Sequence, residues 1–263
     1  RWLAPFLRDV FAGRQFKTYF EPFLGGGSLF LEWGHGIAKN YIVSDIESQL
    51  ITAFNAVKTD PLRVRRLISQ WKPGEKTYYA VRALNPNGNI YANAARFIFL
   101  NRFAWNGLYR LNRAGRFNVP YSQKNMPEAL QEWLQEASAR LNSVNGKILV
   151  SDYSKILSKP KRGDIVVLDP PYVAKDLGTT RHRYYNVNQF SWDDHLKLAE
   201  LATAAVKRGA VVVVTQGRGS ADSLYAGGPF VKLTCFRQQV IAASAKLRAK
   251  TKEVILISNN VKI

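Results

Sequence analysis

Short apolar runs alternate with stretches of helical periodicity near both ends of the chain. The predicted strands are Lys17–Pro22, Tyr41–Ser44, Lys147–Ser151, Asp164–Asp169, Ala210–Gln216, Val231–Ile241 and Glu253–Asn259. The predicted helices are Ser28–Glu32, Glu47–Val57, Ala129–Asn142 and Ser191–Arg208. Strands that alternate with helices predict an α/β fold in which helices cover a largely parallel sheet.

The alternation breaks between about residues 58 and 127. This segment contains 13 Lys/Arg against only Asp60 and Glu75, so it carries +11 of the formal net charge of +19. Its pattern predicts an aromatic-rich helix over Asn89–Phe103, and a β-hairpin in which Leu108–Asn112 pairs with Arg116–Pro120. We therefore predict an inserted unit at 58–127, between catalytic parts at 1–57 and 128–263.

Most aromatic residues of the insert fit a buried core. They are Tyr78, Tyr79, Tyr91, Phe97, Phe99 and Phe103. Trp105 is the exception, because it stands between a helix end and a turn at Gly107, where a large ring is free to face a partner.

The charge indicates a polyanionic partner, and nucleic acid fits best. No long basic amphipathic helix favours a membrane surface, and no apolar run is long enough to span one. A single cysteine, Cys235, excludes an internal disulfide and suits a reducing, cytoplasmic compartment. No metal is expected, because His35, His182 and His195 are isolated and lack ligand spacing.

The tetrapeptide Asp169-Pro170-Pro171-Tyr172 directly follows the apolar run Ile165–Leu168. An exocyclic aromatic amine shares its lone pair with the ring, so its methylation requires groups that draw the nitrogen toward tetrahedral geometry. Asp169 and the Pro170 carbonyl offer two acceptors, and Tyr172 offers a ring face for a base taken out of its duplex. Both prolines stiffen the platform. These four residues are the predicted catalytic site for methylation of an amino nitrogen.

The segment Glu21-Pro22-Phe23-Leu24-Gly25-Gly26-Gly27-Ser28 links the first predicted strand to a helix. A glycine turn lets the backbone approach a ligand closely, and a helix N-terminus favours an anionic group. The pattern does not complete G-x-G-x-x-G, because Phe30 occupies its last position, and this disfavours NAD. The expected cofactor-binding residues of this segment are Glu21, Pro22, Phe23, Gly25, Gly27 and Ser28.

Acidic residues also end other predicted strands. Asp45 stands where a carboxylate would hold the ribose hydroxyls of an adenosine-containing cofactor, although it could instead cap the following helix. Asp152 and Tyr153 could border the adenine, and Asp169 is expected to border the cofactor as well. All of them fall at strand C-termini, where open α/β sheets bind their ligands.

Three motifs in this order resemble the Dam family of DNA adenine N6-methyltransferases. They are the glycine segment 21–28, the insert sequence 101–110 with Phe117-Asn118-Val119-Pro120, and the tetrapeptide 169–172. The resemblance covers nearly the whole chain. It implies a Rossmann-like seven-stranded methyltransferase sheet, S-adenosyl-L-methionine as methyl donor, and an inserted helical and β-hairpin target-recognition domain.

The resemblance also implies roles for single residues. Phe23 and the glycines would line the methionine part of the cofactor, Asp45 would hold its ribose, and the tetrapeptide would receive the flipped adenine. In the insert, Trp105 would push into the duplex and Asn106 would compensate the orphaned thymine. Leu108, Arg110 and Pro120 would read neighbouring base pairs, and Arg110 could clamp guanine O6 and N7. The other DNA contacts expected in the insert are Arg102, Arg113, Arg116 and Asn118.

Two further basic stretches are expected to contact DNA phosphates. The loop 173–190 contains Lys175, Arg181 and Arg183. The segment 244–252, predicted as a loop between the last two strands, contains Lys246, Arg248, Lys250 and Lys252. The expected partner is double-stranded DNA, without an obligate protein partner, and the expected state is a monomer in a bacterial nucleoid or in phage-infected bacterial cytoplasm. GATC is the site that the resemblance suggests.

Two alternatives remain open from the sequence. The family normally begins with a Lys-Trp-x-Gly-Gly-Lys segment that touches cofactor and DNA, and Arg1 stands just beyond where it would end. A protein without that segment would be a catalytically impaired, sequence-specific DNA-binding protein. The second alternative is an RNA or protein amino-nitrogen methyltransferase, against which the hairpin motif argues.

Overall fold

One sheet of seven strands organises the residues that the computed structural model describes, namely 3–85, 88–112, 114–171, 190–216, 221–238 and 250–261. The strands are β1 (Phe16–Glu21), β2 (Ala38–Asp45), β3 (Asn145–Val150), β4 (Ile165–Leu168), β5 (Val211–Gln216), β6 (Phe230–Gln238) and β7 (Lys250–Ser258). Their order across the sheet is β3-β2-β1-β4-β5-β7-β6. β1 to β5 run parallel, whereas β7 is antiparallel to both β5 and β6. This arrangement confirms the predicted α/β class with a Rossmann-like sheet.

All seven predicted strands are present, and their described ends are displaced by at most three residues. Residues 239–241 of the predicted strand Val231–Ile241 lie outside the described residues. The described helices are α1 (Leu3–Val10), α2 (His35–Ile37), α3 (Ser48–Thr59), α4 (Pro61–Ile68), α5 (Glu75–Ala83), α6 (Ile90–Phe103), α7 (Leu130–Asn142), α8 (Tyr153–Leu157) and α9 (Trp192–Lys207). A π-helical segment, Phe30–Gly34, precedes α2, and 3₁₀ turns occupy Trp105–Gly107 and Ala221–Tyr225. The sequence did not predict α1, α2, α4, α5 and α8, which are all short. The predicted helix Ser28–Glu32 begins at Ser28 but continues as the π-helical segment from Phe30.

The start of α9 forms as its sequence predicts. The Ser191 hydroxyl accepts a hydrogen bond from the Asp194 backbone N–H at 3.1 Å, and the Asp194 carboxylate accepts from the Ser191 N–H at 2.8 Å. This reciprocal capping satisfies two N–H groups that a helix start leaves unpaired. The hydrogen bonds from Ser191 hold the pKa of the Asp194 carboxyl below its usual value.

Apolar residues cover both faces of the sheet. On one face, Val166, Leu168 and Val214 pack in a buried core with Leu198 and Ala202 of α9. On the other face, aromatic rings pack around Tyr19, with the Phe30 ring 5.8 Å and the Trp33 ring 6.0 Å away between centroids. Burial on both faces explains why β4 is a continuous run of apolar residues without alternation.

Gly34, at the end of the π-helical segment, leaves room for the Tyr19 ring. A Cβ atom added at Gly34 would lie 2.6 Å from Cζ of Tyr19, and that ring is fully buried. We expect Gly34→Ala to lower the free energy of unfolding by about 2 to 3 kcal/mol, because overpacking forces neighbouring groups to move. Chemical denaturation measures this loss.

Gly36, two residues further along, provides the control. A Cβ added there would meet no heavy atom within 4 Å. Gly36→Ala should therefore leave the free energy of unfolding unchanged or raise it slightly, through the better helix propensity of alanine. Equal effects of the two substitutions would show that contact with Tyr19 is not the cause.

The described chain divides into two compact units. The first consists of 3–46, 145–171 and 190–261 and contains the sheet, and the second includes 47–144 with helices α3 to α7. The predicted insert 58–127 lies inside the second unit. The unit extends further at both ends because α3 and α7 share its core, as when Ala56 and Leu134 pack in one cluster with Phe99. The side chains of Ser138 and Asn142 in α7 also donate to the Lys58 carbonyl, at 3.1 and 2.9 Å.

Within the described residues, none of the helices has the length and apolar character needed to cross a membrane.

Candidate functional site

Three acidic residues meet at the carboxyl edge of the sheet. Glu21 ends β1, Asp45 ends β2, and Asp169 follows β4 directly. From β1 the chain continues to β2 and β3 on one side of β1, and it then returns to β4 and β5 on the other side. Such a point, at the carboxyl ends of parallel strands, is where open α/β sheets bind ligands.

The glycine turn after β1 is open to a ligand. Gly25 and Gly27 adopt left-handed conformations, with φ of 49° and 65°, which favour glycine. A Cβ added at Gly25 or Gly26 would meet no heavy atom within 4 Å. Helical residues begin at Ser28, which is exposed, and Pro22 is buried beneath the turn. The backbone of this turn is therefore accessible, as the sequence predicts for a cofactor-binding segment.

Asp45 fastens the end of β2 to the glycine turn. Its Oδ2 accepts a hydrogen bond from the Gly25 N–H at 2.9 Å. The cap of α3 is Glu47, whose side chain accepts from the Gln49 N–H at 3.0 Å. The alternative role of Asp45 as the N-cap of that helix is therefore wrong.

Glu21 is the buried member of the acidic group, with 3% of its surface exposed. The Tyr19 hydroxyl donates a hydrogen bond to its Oε2 at 2.7 Å. Burial raises the pKa of the Glu21 carboxyl to about 8, the Tyr19 hydrogen bond opposes this, and the charges of Asp169 and Asp45 raise it further. The three acidic residues thus interact electrostatically.

Asp169 presents an exposed carboxylate at the end of a fully buried strand. The Thr215 hydroxyl, on neighbouring β5, donates a hydrogen bond to Asp169 Oδ1 at 2.5 Å. Pro170 is buried and Pro171 is exposed, whereas Tyr172 lies outside the described residues. The carboxylate is therefore held on one side by Thr215.

Asp152 and Tyr153 have structural partners. Asp152 caps α8, because its Oδ1 accepts from the Ser154 N–H at 2.9 Å. The Tyr153 ring is 7% exposed and stacks on Phe23 at 5.4 Å between centroids, and its hydroxyl donates to the Asp194 carbonyl at 3.3 Å. Phe23 and Tyr153 also contact the Phe190 ring, so these aromatics form one cluster.

His195 lies in this aromatic cluster, 1% exposed and 4.7 Å from the Phe190 ring centroid. Burial lowers the pKa of its imidazole. In the described part of the chain, no group of three or more His, Cys, Asp or Glu side chains is arranged to hold a metal ion.

The second unit presents an exposed tryptophan on a tight turn. Trp105 is 54% exposed, whereas Phe99 and Phe103 of the preceding helix are fully buried. Asn106 and Gly107 both adopt left-handed conformations, with φ of 53° and 66°. Asn106 is the one described non-glycine residue with positive φ, a conformation found in sharp turns and often at functional sites.

The predicted hairpin forms, although with a single antiparallel bridge, Leu111 to Phe117, in place of two regular strands. Arg110 and Asn118 face each other beside this bridge. The Asn118 N–H donates to the Arg110 carbonyl at 3.0 Å. In return, Arg110 Nε donates to Asn118 Oδ1 at 2.8 Å, and its Nη2 donates to the Asn118 carbonyl at 3.2 Å.

The insert contains four further described residues that are predicted to contact DNA. Arg116 and Pro120 are exposed and Leu108 is half-buried. The Arg102 guanidinium, at the end of α6, donates from Nε and Nη2 to the Asn125 carbonyl at 2.8 and 2.5 Å. One edge of the Arg102 guanidinium is thus bonded to the Asn125 carbonyl.

Several predicted DNA-contacting residues lie outside the described residues. They are Arg113, Arg181, Lys246 and Arg248, together with Lys175 and Arg183 of the same basic loop. The prediction of a loop over 244–252 is wrong for its last three residues, because β7 begins at Lys250 and includes Lys252.

The sequence did not indicate two residues that hold the acidic group. Thr215 fixes Asp169, and Tyr19 fixes Glu21. A signal existed for Thr215, since Thr215 and Gln216 are polar residues at the carboxyl end of a run of valines, as Asp169 is after its own apolar run. The sequence contained no such signal for Tyr19, because tyrosine residues within strands commonly pack in the hydrophobic core.

The sheet, with an acidic and glycine-rich site at its carboxyl edge, is an open α/β fold of the kind that binds ligands at the carboxyl ends of its strands. Residues 1–233 match the family of D12 class N6 adenine-specific DNA methyltransferases. The chain belongs to this family, which confirms the resemblance and establishes an adenine-specific DNA methyltransferase as the class of enzyme.

Named relatives agree with the family. The chain is 29% identical over 265 residues to the type II methyltransferase M1.LlaDCHI of Lactococcus lactis subsp. cremoris, covering 97% of this chain and 91% of that protein. It is 34% identical over 190 residues to the DNA adenine methylase of Serratia marcescens, covering 69% and 67%. Among solved structures, precorrin-6y C5,15-methyltransferase from Geobacter metallireducens aligns over 97% of this chain and 86% of its own, with 9% identity and a TM-score of 0.39.

Proposed function

We propose that this protein transfers the methyl group of S-adenosyl-L-methionine to N6 of an adenine that has been flipped out of duplex DNA, within GATC or a related site. The observation that carries the proposal is the Asp169 carboxylate. It is exposed at the carboxyl end of β4, held by Thr215, and followed by two prolines. A fixed acceptor at this edge supports the proposal, because open α/β sheets bind ligands at the carboxyl ends of their strands.

The chemistry requires acceptors more than a strong base. The adenine amine is a poor nucleophile because its lone pair is delocalised into the ring. The Asp169 carboxylate would accept one amine hydrogen and the Pro170 carbonyl the other, which turns the lone pair toward the donor. We propose that Tyr172 supplies the face on which the flipped base stacks.

The residues around the glycine turn fit the proposed methyl donor. When bound, S-adenosyl-L-methionine supplies an activated methyl group on a positively charged sulfur. The open backbone at Gly25 and Gly26 allows close approach, and the acidic group of Glu21, Asp45 and Asp169 complements a cationic ligand. Asp45 is proposed to hold the ribose. Phe23 and Tyr153, which stack on each other, would border the site through their ring edges.

The second unit is proposed to recognise the DNA. Its central segment carries +11 of the formal charge, which favours a phosphate backbone. The exposed Trp105 ring would replace the flipped base in the stack, and Asn106 would bond to the unpaired thymine. Arg110, Leu108 and Pro120 would read adjacent base pairs, with Arg102 and Arg116 contacting the backbone. We propose that the enzyme acts on DNA as a monomer.

Transfer of a labelled methyl group to duplex oligonucleotides tests the proposal. The substrates are a duplex with one GATC, a duplex with the same bases rearranged to GTAC, and a GATC duplex already methylated at both N6 positions. We expect label on the first substrate alone. Label on the fully methylated duplex would show that the acceptor is not N6 of the GATC adenine, and equal label on GATC and GTAC would exclude the proposed site.

Base flipping is tested by a separate fluorescence measurement. A duplex with 2-aminopurine in place of the target adenine should become more fluorescent when the enzyme binds, because stacking quenches this base. A duplex with 2-aminopurine two positions outside the site is the control. Equal fluorescence changes at both positions would contradict extrusion of one base.

A further inference from the structure

Among the residues that the structure describes, Asn118 accepts the hydrogen bonds of the Arg110 side chain, and both come from one edge of the guanidinium. The Nε–H and one Nη2–H form the side edge of the group, and both donate to Asn118, at 2.8 Å to Oδ1 and 3.2 Å to the carbonyl. The other edge carries the Nη1 group and the second Nη2–H. This end edge has the parallel N–H pair that bonds to two acceptors at once.

Asn118 is itself fixed by the hairpin. Its N–H donates to the Arg110 carbonyl at 3.0 Å, and it follows Phe117, which is buried and bridges to Leu111. Three hydrogen bonds therefore tie these two residues to each other across the hairpin. A flexible arginine loses side-chain entropy when it binds, and an arginine that is already oriented loses less of it on binding DNA.

We propose that Asn118 is a positioning residue for base recognition, which holds the side edge of the Arg110 guanidinium so that its end edge meets O6 and N7 of a guanine. This rests on the proposed function. Guanine is the base whose major-groove edge presents two adjacent acceptors. A phosphate offers similar acceptor chemistry, and the experiment below separates the two.

The test uses duplex DNA in which each guanine of the recognition site is replaced in turn by 7-deazaguanine, which keeps O6 and lacks the N7 acceptor. For the unaltered protein we expect kcat/KM to fall by roughly tenfold at one guanine. In Asn118→Ala this penalty should shrink to about threefold or less, because the guanidinium is no longer aligned. The penalty is a ratio measured on one enzyme preparation, so partial misfolding of a variant does not change it. Equilibrium binding to the same duplexes gives a second ratio that does not require turnover.

Two further variants separate positioning from support of the hairpin. Asn118→Asp keeps an acceptor oxygen at the same place and should restore the penalty. Asn112→Ala is the matched control: Asn112 Oδ1 accepts from the N–H groups of Ala114 and Arg116, both at 3.0 Å, and so stabilises the turn without touching the guanidinium. It should lower stability and leave the 7-deazaguanine penalty unchanged.

The outcomes are distinct. The inference is overturned if Asn118→Ala slows all substrates alike and keeps the full penalty. It is also overturned if no guanine shows a penalty and Asn118→Ala instead flattens the salt dependence of binding, which would assign Arg110 to a phosphate. If the unaltered protein methylates no duplex and binds none selectively, the proposed function itself fails.

Discussion

Asp169→Ala is expected to reduce kcat for methyl transfer by roughly 10³-fold, with little change in the affinity for DNA. The substitution removes the carboxylate that accepts an amine hydrogen at the carboxyl end of β4. Because Asp169 is exposed and follows the last residue of β4, we expect the loss to fall on the chemical step and to spare the fold. Single-turnover methyl transfer, with DNA binding measured in parallel, gives both quantities.

Two matched variants show what the carboxylate contributes. Asp169→Asn keeps one acceptor oxygen and removes the charge, so it should retain more activity than Asp169→Ala if orientation of the amine is the main role. Thr215→Val removes the hydroxyl that holds Asp169 and should cost roughly tenfold. Full activity in Asp169→Ala would exclude this residue from the chemistry.

The positions of the acidic residues could be predicted because of the geometry of parallel strands. Glu21, Asp45 and Asp169 each end an apolar run, and the carboxyl ends of parallel strands share one edge of a sheet. The position of these residues at one edge of the sheet could therefore be predicted without knowing the order of the strands.

The contacts that hold these residues required the strand order. Thr215 and Asp169 are 46 residues apart and meet only because β4 and β5 are neighbours in the sheet. The same limit applied to the second unit. The charge of the insert could be seen in the sequence, but α3 and α7 carry no comparable excess of basic residues, so only their packing in a shared core assigns them to the unit.

The hairpin shows a third limit. The turn and the pairing of its two arms, which includes Leu111 with Phe117, could be predicted from the sequence. The orientation of the Arg110 side chain could not. Long arginine side chains have many rotamers of similar energy, and the choice depends on acceptors such as the Asn118 side chain. Functional orientation is therefore harder to predict than position.

The buried carboxyl of Glu21 should make stability depend on pH. In the unfolded chain this group titrates near 4.5, and in the folded protein its pKa is about 8, chiefly because it is buried. The folded state therefore binds the proton more tightly. The resulting stabilisation is fully present below pH 4.5 and is lost as the pH rises through 8, a change on the order of 5 kcal/mol.

Glu21→Gln keeps the shape of the side chain and removes its titration. We expect the variant to become progressively more stable relative to the unaltered protein between pH 5 and pH 9, measured by urea unfolding of the sheet-containing unit. Glu200→Gln, an exposed position on α9 of the same unit, is the control and should show no such trend. A stability difference for Glu21→Gln that stays constant from pH 5 to 9 would mean that the pKa of Glu21 is not raised.

Tyr19→Phe tests the direction of the hydrogen-bond contribution. The Tyr19 hydroxyl donates to Glu21 and so favours its charged form, and its removal should raise the pKa of Glu21 further and extend the loss of stability to higher pH.

A cationic ligand beside Glu21 should lower the pKa of this carboxyl, because positive charge favours the ionised form. The proposed methyl donor should therefore bind the unaltered protein more tightly as the pH rises from 6 to 8, and Glu21→Gln should lose this dependence. A donor affinity that falls over this range would contradict an acidic group facing a cationic ligand.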